Sequence, residues 1–149
     1  MSKPEEDVYL DPSHAAGAAF LSRRIPGEVV MLNLLRFRGI ADYSAFPELA
    51  PPAAISGREA YERYIQHTLP FLTASGGRVL YAGTGGEYLF GPPGQGWDMA
   101  LLIEQRSVAS FMAFASDPAY QAGIGHRVAG VRDSRILPLV DALLPAGPG

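Results

Sequence analysis

The sequence contains no cysteine, has few charged residues and carries no long hydrophobic run. Without cysteine the chain cannot form disulfides, use a thiolate in catalysis or bind zinc through sulfur. Charged residues make up 18% of the chain and the net charge is −3, with no basic run that would suit nucleic acid. No segment reaches the roughly 20 apolar residues that a membrane-spanning helix needs. We therefore expect neither nucleic acid nor a membrane as a partner.

The composition that remains is typical of a folded domain. Hydrophobic residues make up 48% of the 149 residues, and a chain of this length fits one domain. We expect an N-terminal arm with a short helix over residues 1–27, a folded domain over 28–141 and a flexible tail over 142–149. The residues after Met1 are acidic, where a signal peptide would be basic and then apolar, so we expect a cytoplasmic protein.

Four short apolar runs predict β-strands. They cover residues 29–35, 78–90, 97–104 and 135–140. Gly85 and Gly86 indicate a bulge or bend in the second run, and Pro138 fits the fourth run if that strand lies at the edge of a sheet.

Capping residues predict the helices between these strands. They are Asp11 before residues 15–23, Ser56 before a helix that kinks or ends at Pro70, Ser107 before 108–115, and Asp117 before 118–129. Glu59 completes a capping-box pattern with Ser56. Residues 39–55 are rich in proline and predict a long connection with at most one helical turn near residues 43–46.

After the arm, the predicted order is β-α-β-β-α-β, which is typical of the α+β ferredoxin-like plait, a four-stranded antiparallel sheet with its helices on one face. The other sheet face is then uncovered. The strands are apolar on both faces, and an apolar face of that size exceeds what soluble monomers usually expose. The sequence therefore predicts a homodimer formed through the sheet faces.

Several segments resemble the family known as domain of unknown function 1330. They are residues 31–37, 76–83, Trp97-Asp98, Ser107 with Phe111, Asp117-Pro118-Ala119-Tyr120 and His126-Arg127. That family is similar to the dimeric α/β-barrel superfamily, whose ferredoxin-like subunits pair through their sheets and often keep a ligand cavity between sheet and helices. The resemblance, over roughly residues 28–140, implies the fold and the dimer. It implies no single activity, because the superfamily includes cofactor-free monooxygenases, haem enzymes, isomerases and non-catalytic binders.

Arg127 is the main candidate for ligand binding. It lies seven residues after Tyr120, so on one helix the two side chains share a face. A partly buried guanidinium needs an anionic or carbonyl partner. That partner is either a substrate carboxylate, phenolate or enolate, or a group of the protein such as Asp98, Asp133 or a carbonyl at a helix end.

Four further side chains are candidates for the same site. His126 is either a catalytic base or acid, or a solvated residue near a helix end. Asn33, the polar residue within the first strand, either donates its amide to a ligand or forms a hydrogen bond across the subunit interface. Trp97 and Tyr81 are either core or interface aromatics, or walls that stack on a ligand.

Three functional classes stay open at this point. The leading hypothesis is a homodimer that binds an anionic or aromatic metabolite through Arg127, with Asn33, His126 and Tyr120 near the ligand. If catalytic, it performs proton transfer or cofactor-independent oxygenation, with His126 as base and Arg127 stabilising the oxyanion. The alternative is a non-catalytic interaction or sensing module whose cleft is filled by side chains. A third reading, taken from the superfamily alone, is haem ligated by His67 or His126, although the three histidines have no metal-binding spacing and we expect neither cofactor nor metal.

Overall fold

A computed structural model describes residues 7–145 as a four-stranded antiparallel sheet with helices packed on one face. The strands are β1 (Val29–Phe37), β2 (Arg78–Gly86), β3 (Trp97–Gln105) and β4 (Val131–Leu139). The helices are α1 (His14–Ser22), α2 (Gly57–Ala74), α3 (Val108–Ala115), α4 (Pro118–Gln121) and α5 (Ile124–Gly130). Residues 146–149 of the predicted tail over 142–149 lie outside the described residues.

The strand order is β2-β3-β1-β4, and every neighbouring pair is antiparallel. With α2 between β1 and β2, and α3 to α5 between β3 and β4, this is the predicted ferredoxin-like arrangement. β4 is an edge strand, as Pro138 indicates, because a proline has no amide proton for a further neighbour.

The central strand β1 determines which side chains face the helices. Burial alternates along it, with Val29, Met31, Asn33 and Leu35 buried and the residues between them less so up to Leu34. The buried set faces α2, because successive side chains of a strand point to opposite faces. Aromatic residues of α2 and α4 pack against this side and form the core with β1, β3 and β4.

Helix α2 begins where the sequence predicts and continues further than expected. The hydroxyl of Ser56 accepts a hydrogen bond from the backbone N–H of Glu59 at 3.0 Å, which confirms the predicted cap. The helix passes through Pro70 and ends at Ala74, so the expectation that it ends at Pro70 is wrong, while the alternative of a kink there stays a prediction. Pro70 has no N–H to donate to the carbonyl oxygen of Gln66, four residues earlier. Both residues are exposed, so water can donate to that oxygen instead. Leu72, in the last turn of the helix, is buried.

The helical segment predicted over residues 118–129 is broken. It consists of α4 and α5, separated at Ala122 and Gly123. Gly123 lies directly against the ring of His67, with no room there for a Cβ atom. Glycine at position 123 therefore permits this close contact with α2, which sequence spacing could not indicate.

Several smaller expectations are corrected. Ser13, whose hydroxyl accepts a hydrogen bond from Ala16 N, caps α1 instead of Asp11.

The strands differ from the prediction in their bounds and pairing. β2 ends at Gly86, because residues 87–90 bend and the Tyr88 hydroxyl accepts a hydrogen bond from Trp97 Nε1. The irregular pairing of β2 lies between Val79 and Tyr81, not at the glycines, and β4 begins at Val131 rather than at residue 135. The turn of helix in the long connection is a 3-10 turn at Pro47–Leu49 rather than at 43–46.

Two glycines allow α2 and α5 to cross in close contact. A Cβ atom on Gly57 would lie 2.6 Å from the carbonyl oxygen of Gly130 and would also clash with the carbonyl of Arg38. Backbone atoms cannot move aside as a flexible side chain can. This crossing sets the position of α5, and therefore of Arg127, relative to the sheet.

Substitution Gly57→Ala should lower the free energy of unfolding by about 1–3 kcal/mol, because the added methyl group overpacks the helix crossing. Urea denaturation measures the change. Gly17→Ala is the matched control, since nothing lies within 4 Å of a Cβ at Gly17 in α1, and alanine there should be neutral or stabilising by up to about 1 kcal/mol. Equal effects of the two substitutions would show that the crossing is not tight.

Candidate functional site

A cavity of about 210 Å³ lies between the helix-facing side of the sheet and the helices. Most of its wall is apolar. The apolar lining includes Leu10, Met31, Ile65, Leu69, Leu72, Val79, Ile103, Phe111, Phe114, Ile124 and Ile136. The polar side chains at its surface are Asp11, Asn33, Tyr61, Tyr64, Thr68, Gln105, Tyr120 and Arg127. A few polar groups in an apolar wall are characteristic of small-molecule sites.

Arg127 reaches this cavity from α5 and holds the arm in place. Its Nη1 donates to the carbonyl oxygen of Leu10, and its Nη2 donates to Ser134 Oγ, each at 3.2 Å. Both acceptors are neutral. Within residues 7–145, no carboxylate forms an ion pair with Arg127, although Asp11 lines the same cavity.

Two phenols lie at the same part of the cavity. The hydroxyl groups of Tyr64 and Tyr120 are 2.7 Å apart and buried. Burial raises the pKa of Tyr120 well above the ordinary value of 10.0, and the pKa of Tyr61 is raised for the same reason, although the charge of Arg127 opposes both shifts. Tyr61 and Tyr120 are therefore protonated at neutral pH.

Tyr120 and Arg127 meet at the cavity although the helix between them is broken. The helical spacing predicted a shared face, and the fold brings the two side chains together by packing α4 and α5 against α2. Asn33 lines the same cavity from β1, and its Nδ2 donates to the carbonyl oxygen of Met31 at 3.1 Å. These three predicted site residues thus share one cavity.

Two polar side chains of the cavity were not predicted as site residues. Thr68 and Gln105 are only 6% and 1% exposed, and Thr68 Oγ1 and Gln105 Oε1 have no hydrogen-bond partner among the described residues. Thr68 belongs to the buried stripe of α2, and Gln105 is the buried last residue of β3. A polar residue at a buried position of the pattern was the sequence signal that could have identified both residues.

His126 does not line this cavity. Its Nδ1 is 2.7 Å from the hydroxyl of Tyr43, in the long connection after β1. Burial lowers the pKa of His126 below its ordinary value of 6.5, and the charges of Arg63 and His67 act in the same direction. The structure does not bring His126 and Arg127 together at the cavity, and the catalytic role of His126 stays a prediction.

Trp97 and Tyr81 lie away from this cavity. The Trp97 ring stacks under the guanidinium of Arg36, 4.0 Å from the ring centroid, and lines a separate, open cavity of about 540 Å³ with Leu34. Tyr81 is 63% exposed, and it pairs with Leu102, on the sheet face opposite the helices. Their role as ligand walls would therefore apply to another site than that of Arg127.

The arm beside the cavity is anchored by a buried carboxylate. Asp133 accepts hydrogen bonds from Tyr9 N at 2.9 Å, from Arg36 Nη1 at 2.9 Å and from Arg135 Nη1 at 2.7 Å. Burial alone would raise the pKa of Asp133, but these donors and the charge of Arg135 hold it below its ordinary value. The ionised carboxylate thereby fixes the chain just before Leu10, which covers one side of the cavity.

Haem does not fit this cavity. The lining contains no histidine, and its volume is below the roughly 300–1,000 Å³ typical of pockets for drug-sized ligands. His67 and His126 are hydrogen-bonded outside it, His67 to the carbonyl oxygen of Ala119. In the described part of the chain, no group of three or more His, Cys, Asp or Glu side chains could hold a metal ion. Nor does any helix of that part have the length and apolar character to cross a membrane.

Comparisons with known proteins give a family and a close structural relative. The family model "Domain of unknown function (DUF1330)" matches residues 52–139. The crystal structure of RPA0582, a protein of unknown function from Rhodopseudomonas palustris, is 34% identical, covers 93% of this chain and 100% of that chain, and has a TM-score of 0.78. Methylated RPA0582 gives 33% identity, coverage of 95% and 98%, and a TM-score of 0.77.

A more distant likeness is to a dimeric ferredoxin-like protein of unknown function from Thermobifida fusca. It is 14% identical, covers 76% of this chain and 90% of that chain, and has a TM-score of 0.43. Among curated proteins, none matches the chain in sequence.

Substitution Asp133→Asn should lower the free energy of unfolding at pH 7 by about 3–5 kcal/mol, because it leaves two guanidinium groups without their buried anion. The pKa of Asp133 is depressed by folding, so its contribution is complete above the ordinary value of 3.8 and is lost as the pH falls through the lower folded value. The variant should therefore lose less stability than the wild type below about pH 4.

Urea denaturation at a series of pH values measures both effects. Asp141→Asn, at an exposed position after β4, is the matched control and should follow the wild-type curve. If Asp133→Asn also runs parallel to the wild type at all pH values, the carboxylate does not anchor the arm in the way described.

Proposed function

The chain belongs to the domain of unknown function 1330 (DUF1330) family, and from that premise we propose that it binds a small aromatic or otherwise apolar anion between its sheet and its helices. The observation that carries this proposal is Arg127, a cation with neutral protein partners at the wall of an apolar cavity. A ligand carboxylate or enolate would supply the missing negative charge.

The guanidinium geometry supports this role. Arginine presents five N–H donors in a planar fork, and the contacts to Leu10 and Ser134 use two of its nitrogens. Further N–H groups of Arg127 are thus available to a ligand. Hydrogen bonds between a guanidinium and a carboxylate are roughly twice as strong as neutral ones, and the apolar surroundings strengthen them further.

The phenols next to Arg127 suit an anionic group as well. Tyr120 keeps its proton at neutral pH, so the Tyr64–Tyr120 pair can direct an O–H donor to a ligand oxygen. An arginine and a phenol donating to one oxygen could also stabilise an enolate during proton transfer or oxygenation. That chemistry needs a base, and the candidate base His126 is hydrogen-bonded to Tyr43 outside the cavity. Binding is therefore the function that the geometry supports best.

The size of the cavity limits the ligand to a single ring or an equivalent apolar body. At about 210 Å³ it is somewhat larger than the ~150 Å³ apolar cavity that holds benzene. Benzoate, phenylacetate and 3-phenylpropanoate are suitable probes, because they combine one ring with a carboxylate at increasing distance.

At least one of these three acids should bind, and should bind more tightly than its neutral amide. Arg127→Met, which keeps most of the side-chain volume, should weaken binding of that acid by at least about 30-fold, since removing one partner of a buried charge pair costs about 2 kcal/mol or more. Titration calorimetry measures the affinities. The amide should bind wild type and variant equally.

Arg132→Met is the matched control, because Arg132 is an exposed arginine five residues along the chain. It should bind the acids like the wild type. The proposal is overturned if none of the acids binds, or if acid and amide are weakened equally by Arg127→Met, which would indicate a purely structural arginine.

We also propose that the protein is a homodimer formed through the sheet face opposite the helices. This face carries large apolar side chains that are exposed, among them Tyr81 and Leu137 at 63% and 54%. Leu137 pairs with Leu32 of β1 and is therefore on the same face. The interaction-module alternative would use the same dimer without a ligand.

Leu137→Glu should raise the dimer dissociation constant at least tenfold, a loss of about 1.4 kcal/mol, because each dimer buries the new charge twice. Light scattering after size exclusion measures the mass. Met112→Glu is the control, since Met112 is an exposed apolar residue on α3, on the helix side, and should leave the dimer intact. A wild-type protein that is monomeric at all concentrations would refute the dimer.

A further inference from the structure

We infer that the ligand carries a neutral hydroxyl group at the end opposite its anionic group, and that Thr68 and Gln105 bind this hydroxyl. The inference rests on the proposed function and names the second half of the ligand. Its basis is a pair of buried polar atoms at the cavity that nothing in the described protein satisfies.

Thr68 Oγ1 and Gln105 Oε1 are both shielded from solvent and without a hydrogen-bond partner. Buried polar atoms in native proteins are nearly always hydrogen-bonded, and each exception needs an explanation. Both residues line the cavity that also contains Arg127. A polar ligand group that reaches these atoms from the cavity would supply the missing partner.

The strand register separates these atoms from Arg127. Gln105 is opposite Val29 of β1, whereas Ser134, which binds Arg127, is opposite Leu35. Six residues along a strand span about 20 Å. The long side chains of Arg127 and Gln105 shorten the gap, but they enter the cavity from its two ends.

The positions along helix α2 also separate Thr68 from Arg127. The charge of Arg127 acts on Tyr61, and Thr68 follows Tyr61 by seven residues, about two helical turns or 10 Å. Thr68 is thus displaced from Arg127 along α2, on the way to Leu72. Leu72 is adjacent to Gly77, and a Cβ on Gly77 would lie 3.1 Å from Gln105 Oε1. Strand and helix therefore place Thr68 and Gln105 at one end.

The wall between the two ends is apolar. Met31 and Ile103 form it on the sheet side, and Ile65, Phe111 and Phe114 form it on the helix side. A ligand that matches this surface has an apolar middle, such as one ring, with polar groups at its two ends.

A hydroxyl is the group that suits Thr68 and Gln105 together. The threonine O–H can donate to the ligand oxygen, and the ligand O–H can donate to Gln105 Oε1. If the glutamine amide is turned the other way, its NH₂ donates and threonine accepts, and a hydroxyl still satisfies both. In the orientation that the structure shows, with Gln105 Oε1 as the unpartnered atom, a second carboxylate would have no donor for that oxygen. The ligand class is therefore a hydroxylated aromatic or similarly apolar acid.

The test compares each acid that serves as a probe above with its 4-hydroxy counterpart, for example phenylacetate with 4-hydroxyphenylacetate. In the wild type, the hydroxyl should increase affinity at least tenfold in titration calorimetry. Thr68→Val and Gln105→Met should each remove most of this gain, measured as the ratio of the affinities for the 4-hydroxy acid and the plain acid.

Two controls separate binding from structure. Thr68→Ser keeps the hydroxyl and should keep the preference for the 4-hydroxy acid. Thr68→Val and Gln105→Met should melt at the same temperature as the ligand-free wild type or higher, because each removes an unpaired buried polar atom. Variants that melt lower and bind both acids more weakly would indicate a structural role and would overturn the inference.

Failure of this inference can be told apart from failure of the proposed function. If plain acids bind through Arg127 and the 4-hydroxy group adds no affinity, the Thr68–Gln105 end does not bind a hydroxyl, and the proposed function stands. If neither kind of acid binds, both are refuted. If the gain from the hydroxyl persists in Thr68→Val and in Gln105→Met, the hydroxyl is bound elsewhere and the inference is wrong.

Discussion

The antiparallel pairing of β1 with both β3 and β4 is the constraint on which the rest of the structure depends. It turns Met31 and Asn33 towards the helices and places Ile103 and Ile136 beside them. A shift of one residue would send every one of these side chains to the other face. Helix α2 then packs over this side, and the cavity is the space that the two layers leave between them.

The parts of the fold that depend on local interactions were predictable from the sequence. Ser56 and Ser107 satisfy backbone groups within one turn of themselves, so their caps appear where the pattern indicates. The helix instead continues through Pro70 to buried Leu72 and beyond, and Gly123 lies against the ring of His67, so both places involve tertiary packing. Such contacts override local preference and leave no local signal.

The candidate site was predictable to a similar extent. Arg127, Tyr120 and Asn33 stood out because a polar residue in an apolar pattern is visible in a sequence, and they share one cavity. His126 follows the same logic, yet its side chain faces Tyr43, because one step around a helix changes the neighbour. Thr68 and Gln105 carried the same signal, a polar residue within a buried pattern, but the missing hydrogen-bond partner that sets them apart is visible only in the packed structure.

The cavity is less favourable for the stability of the ligand-free protein than an apolar filling would be. It contains a cation whose partners are neutral and two buried polar atoms without partners, and each of these features lowers stability relative to an apolar substitute of similar shape. Natural sequences keep such local conflicts mainly where function requires them. A scaffold whose cleft served only to pack its helices would gain stability by replacing Thr68 and Gln105 with valine and methionine. The polar groups in this largely apolar space therefore support the proposal that a ligand occupies it.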